Sequence, residues 1–167
     1  MTGRRPTHRH RALLLVACLA AAAAAGAVRA QDGPTAACPA LQRVLESAPQ
    51  RFRDLTDKDY STLFESWRAK ETLPGFDSCW VDDITSAFWC LHRAPGDAEA
   101  ARVADAQARR IAACWSSAPT ARISETGDDG ITRIIQDWRP TPERRIRLVQ
   151  RKPGAGAGLG AVFLYVY

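Results

Sequence analysis

Apolar and polar positions alternate with two different periods along this chain. Leu41, Val44, Leu45 and Ala48 recur at i, i+3, i+4 and i+7, which predicts an amphipathic helix of about three turns, stopped by Pro49. A second helix opens at Pro95-Gly96-Asp97, with Asp97 as its cap, and carries its buried stripe on Ala100, Ala104, Ala108, Ile111 and Trp115. Cys79-Trp80-Val81 and Ala87-Phe88-Trp89-Cys90-Leu91 flank Asp82-Asp83-Ile84-Thr85-Ser86 and read as a hairpin. Thr56-Asp57-Lys58-Asp59 is a polar turn. The stretch 60–70 is read as one strand, although Tyr60, Leu63, Phe64 and Trp67 also fit a helical stripe.

The C-terminal third predicts a meander: Arg122 to Thr126, Ile131 to Trp138, Arg144 to Arg151 and Ala161 to Tyr167, with Gly, Pro or Asp at each junction. In the last strand Val162, Leu164 and Val166 point one way and Phe163, Tyr165 and Tyr167 the other. It is apolar on both faces, which makes it central or covered and not a solvated edge. The order is close to α-β-β-β-α-β-β-β. The fold class expected is α+β: a two-layer sandwich with two helices on a mainly antiparallel sheet of five to six strands.

Residues 1–30 have the make-up of a cleavable secretory signal peptide. Arg4, Arg5, Arg9 and Arg11 precede an apolar run from Ala12 to Val28, and Val28 and Ala30 suit a cut before Gln31. The apolar run continues past Cys18, unlike a lipobox, so no lipid anchor is expected. Residues 31–37 form a polar leader, and 38–167 form one domain. The formal charge of +5 comes from the five Arg of the first 30 residues; the remainder holds 18 basic and 18 acidic side chains. A neutral body argues against a nucleic-acid partner. No transmembrane segment is expected after cleavage.

Export leaves four cysteines, Cys38, Cys79, Cys90 and Cys114, and points to two disulfides in an oxidising compartment, a periplasm in this reading. Four cysteines allow three connectivities. Geometry favours Cys79 with Cys90 across the hairpin, and Cys38 with Cys114 between antiparallel helices. Without a C-x-x-C pair, a zinc site is disfavoured.

Cys38, the Leu73-Pro74-Gly75 turn, Cys79, Cys90 and Cys114, taken with the element order, resemble the α+β architecture of type III secretion chaperones and YbjN-like proteins. The same pattern is similar to small exported Gram-negative proteins of unknown function. The resemblance implies an architecture and brings no catalytic residue.

Other constellations read as structural. His92 is the single histidine beyond the signal peptide, which excludes multi-histidine metal sites. Asp82-Asp83 and Asp128-Asp129 are paired carboxylates inside turns, where Asp bonds nearby amides. The glycine run from Gly154 to Gly160 lacks a phosphate-loop register and a following helix, and reads as a hairpin loop. Trp67, Trp80, Trp89, Trp115 and Trp138 are assigned mainly to core packing, with a carbohydrate platform as the alternative. No cofactor and no metal are expected. The functional hint is cationic: Arg145, Arg147 and Arg151 share one face of a strand opposite Ile146 and Leu148. Such a row suits an acidic envelope protein or an anionic surface. The function expected is a small disulfide-stabilised periplasmic interaction protein without catalysis. A cell-wall glycan hydrolase or lectin-like binder is the alternative, favoured if Asp82 or Asp83 faces a cleft lined by Trp80 and Trp89.

Overall fold

Helix α1 spans Pro34–Ser47 and is followed by short 3-10 turns at Ala48–Gln50 and Arg53–Leu55. Four strands come next: β1 Thr56–Ser61, β2 Ser66–Ala69, β3 Ser78–Asp82 and β4 Ala87–Ala94. Helix α2, Asp97–Trp115, separates them from β5 Ala121–Thr126, β6 Thr132–Thr141, β7 Arg144–Lys152 and β8 Gly160–Val166. This computed structural model describes residues 34–152 and 159–167. The expected signal peptide at 1–30, Cys18, the start of the expected leader and most of the glycine run lie outside the described residues.

All eight strands join one antiparallel sheet in the order β1-β2-β3-β4-β8-β7-β6-β5. The expected five to six strands are therefore corrected to eight. Two strands come from the N-terminal stretch. The predicted turn at 56–59 belongs to β1, and 60–70 is a hairpin, with β1 and β2 joined by a turn at 62–65 whose Glu65 takes a left-handed φ of 49°. An edge strand needs no buried alternation, and Lys58, Asp59 and Tyr60 are exposed in succession, so the period-two signal is missing there. The other gain is that the C-terminal meander contributes all four of its strands to the same sheet.

The sheet is two meanders, β1 to β4 and β5 to β8, fused where β8 pairs with β4. Both helices cover one face. Leu41 and Val44 of α1 and Ala100, Val103, Ala104 and Ile111 of α2 pack there with Val81, Phe88, Ile146, Leu148, Val162, Leu164 and Val166. Trp138 lies in the same layer at 1% exposure. Helix α2 begins one residue after its cap, Gly96, and not at an Asp97 cap; Asp97 and Glu99 occupy its first turn, where carboxylates favour the unpaired amides. Its left-handed C-cap, Ser116, accepts the helix end with its amide bonded to the Ala112 carbonyl. The start of α2 runs close to β8 at Gly160. A Cβ there would meet the Ala100 Cβ at 2.9 Å and the Gly96 carbonyl oxygen at 3.1 Å, so the crossing requires glycine.

Two disulfides are present, one within the sheet and one between the helices. Cys79 and Cys90 face each other across the β3–β4 hairpin with their Cα atoms 4.0 Å apart. Cys38 of α1 joins Cys114 near the end of α2, closing a separation of 76 residues. Among the described residues no helix is long and apolar enough to cross a membrane.

Candidate functional site on the open face of the sheet

Both helices lie on one side, and no element among the described residues covers the opposite face of the sheet. The strand period decides what it displays. Across the middle of the sheet Trp89, Tyr165, Arg147 and Asp137 stand in one cross-strand row. Leu91, Phe163, Val149, Ile135 and Ile123 form the next row, and Ala161, Arg151, Arg133 and Glu125 the one beyond. Leu91, Val149 and Ile135 are buried at 6%, 8% and 8% exposure, so the large groups around them form a continuous surface over an apolar floor.

The raised part of this surface is aromatic. Phe163, Tyr165 and Tyr167 follow one another along β8 with ring centroids 6.1 and 6.2 Å apart. On the β4 side Trp89 lies 6.2 Å from Trp80, and Phe64, carried over by the β1–β2 turn, packs on both at 5.4 and 5.0 Å. The Trp89 indole donates to the Ser66 hydroxyl at 3.3 Å. The β8 ridge separates two open grooves, one on the β7 side and one on the β4 side. Arg151, Phe163, Tyr165 and Tyr167 line both.

The arginines of β7 are not alike. Asp137, at 4% exposure, lies between two of them: Arg147 donates from Nε to Oδ1 at 2.9 Å and from Nη2 to Oδ2 at 3.2 Å, and Arg145 donates from Nη2 to Oδ2. Burial pushes the Asp137 carboxyl up, and the bonds and charges of Arg147 and Arg145 outweigh it, holding the group below the ordinary carboxylate range. Two of the three arginines are thus engaged inside the protein. Arg151 differs: its guanidinium lies 5.7 Å from the Phe163 ring centroid and forms no salt bridge among the described residues, acting on the Asp129 carboxylate only at longer range. Arg133 pairs with Asp129, whose carboxyl is lowered chiefly by that hydrogen bond.

The remaining sequence candidates fall into structural places. Asp82 accepts from the amides of Ile84 and Thr85 and the Thr85 hydroxyl, and these bonds lower its carboxyl against the opposing effect of burial. It borders the β4-side groove with Trp89, whereas Asp83 lies in the turn and its carbonyl accepts from Arg51. Asp129 closes its own turn through the Ile131 amide. His92 pairs with Asp77 at 3.1 Å through Nδ1. Trp138 is core, Trp67 and Trp115 pack at its margin, and Trp80 and Trp89 belong to the open face. Among the described residues no group of three or more His, Cys, Asp or Glu is placed to hold a metal ion.

Sequence reasoning missed Phe64 and Asp137 as members of this surface. Phe64 arrives through a turn, which leaves no periodic signal, and Asp137 is recognisable only from its register opposite Arg147. Comparison with protein-family models, curated proteins and solved structures finds no match.

Proposed function

We propose that the protein is an exported binding protein of the periplasm that engages an anionic partner through the open face of its sheet and performs no catalysis itself. The observation that carries this reading is Arg151, a cation with no salt bridge among the described residues, seated on the aromatic ridge where both grooves meet. Half-exposed rings around an uncommitted guanidinium are what recognition surfaces use, because they supply contact area at low entropic cost and one directed charge. Export is supported by the two disulfides, which persist in oxidising compartments, and by the basic and apolar pattern of residues 1–30.

The hydrolase alternative asks for a carboxyl kept protonated near neutral pH. Asp82 is the carboxylate that borders a groove beside Trp89, and its pKa moves the other way because Thr85 and Ile84 donate to it. It works as a turn cap. The arrangement favours binding over hydrolysis.

The test is capture from a periplasmic extract by the full-length exported chain, with Arg151→Gln beside the wild type. The proposal expects a partner retained at low salt, lost as the Debye length shrinks, and lost in the variant. Equal capture by the variant, or capture indifferent to salt, overturns it. The wider replacement of Arg145, Arg147 and Arg151 together is a poor test, since the first two hold buried Asp137.

A further inference from the structure

Resting on that reading, we infer that the ligand of the open face is a carboxylated glycan, a chain of sugar rings bearing uronic-acid groups. Three features of the face carry the choice. Charge complementarity comes first: of the three arginines that line the β7-side groove, Arg133 and Arg147 are paired with Asp129 and Asp137, and Arg151 is the one with no salt bridge among the described residues. The Arg151 guanidinium donates no hydrogen bond to a carboxylate among the described residues, and such a planar fork matches a carboxylate in two parallel bonds.

The second feature is what the face lacks. Strands β4, β8 and β7 each have a strand on both sides, so their ladder amides and carbonyls are committed to neighbours. A ligand lying on the face meets side chains only. A peptide laid there would bury its own N–H and C=O groups unpaired over the Leu91, Val149 and Ile135 floor, which disfavours it. A sugar ring carries its polar groups around the rim and offers C–H faces to aromatic rings, so it loses no backbone bonds.

Third, the ridge supplies matching rim groups. The hydroxyls of Tyr165 and Tyr167 make no hydrogen bond among the described residues and border both grooves, beside Arg151. A glycan crossing the β8 ridge would lay rings on Phe163 and Tyr165, set one carboxylate on Arg151, and bond its hydroxyls to the two phenols.

The experiment is calorimetric titration of the disulfide-intact chain with an oligogalacturonate of about eight sugars, a neutral maltooligosaccharide of the same length and an octaglutamate peptide. Ring and indole resonances of Trp89 and Tyr165 locate the contact by NMR. The inference expects the oligogalacturonate to bind and shift both residues, the neutral glycan to bind at least tenfold more weakly, and octaglutamate not to bind. Arg151→Gln should weaken the acidic glycan about tenfold, the scale of one charged hydrogen bond, while Arg109→Gln on the exposed side of α2 leaves it unchanged. Tyr165→Ala repeats the test through the ridge, with near-ultraviolet circular dichroism to verify folding. Octaglutamate binding as tightly as the glycan overturns the ligand class and leaves the anionic-face reading standing. No binding by any probe also overturns it; the Arg151→Gln capture experiment then decides separately whether the face binds another anion.

Discussion

Asp137 of β6 and Arg147 of β7 stand directly opposite each other and share two hydrogen bonds at 2.9 and 3.2 Å. With Arg145 on the second carboxylate oxygen, a buried anion is held on the same face as Arg133, Arg151 and the aromatic ridge. The carboxylate holds both arginine side chains, and Arg147 lines the β7-side groove.

Asp137→Asn should therefore destabilise the fold by about 2 kcal/mol, less than an isolated buried charge would cost, because both arginines retain access to water. The pH dependence follows from the lowered carboxyl. A group whose folded pKa is depressed contributes stability above its unfolded value, near 4, and loses it as pH falls through the folded value. Urea denaturation between pH 7 and pH 2 should show wild-type stability falling on acidification and the variant falling less steeply. Asp82, Asp129 and Glu99 are lowered too and leave a residual slope in the variant. Identical slopes would remove the clamp from the account.

The two disulfides should differ in what they contribute. On the chain-entropy model a loop closed over 76 residues is stabilised by about 4.5 kcal/mol and one closed over 11 by about 3 kcal/mol. Cys38→Ser with Cys114→Ser is expected to lower the denaturation midpoint more than Cys79→Ser with Cys90→Ser. Peptide mapping of the oxidised chain checks the pairing first, and a Cys38 to Cys79 link would contradict it.

Export gives a separate check at the other end of the chain. The mature protein should begin at Gln31 with a free, unlipidated terminus, since the apolar run continues on both sides of Cys18. N-terminal sequencing of exported material that begins at an acylated Cys18 would refute this.

The helices and the β3–β4 hairpin were legible because burial there imposes a period: Leu41, Val44 and Leu45 at helical spacing, Cys79 and Val81 at strand spacing. Strand β1 was not, since its exposed Lys58, Asp59 and Tyr60 obey no period. The alternation of Phe163, Tyr165 and Tyr167 could be read in β8. That these rings face an uncovered side could not, because it depends on α1 and α2 both packing against the other face. Likewise nothing local distinguishes Asp137 from an exposed aspartate, or Arg151 from Arg147; only the register across β6 and β7 separates the engaged arginine from the free one.

Site-specific photo-crosslinking tests most directly whether the open face is the binding surface. A benzophenone side chain placed at Tyr165, in the centre of the ridge, is compared with one at Ala113, exposed on α2. The account predicts adducts from position 165, suppressed by salt and by Arg151→Gln, and none from position 113. Adducts from position 113 with none from 165 would contradict it.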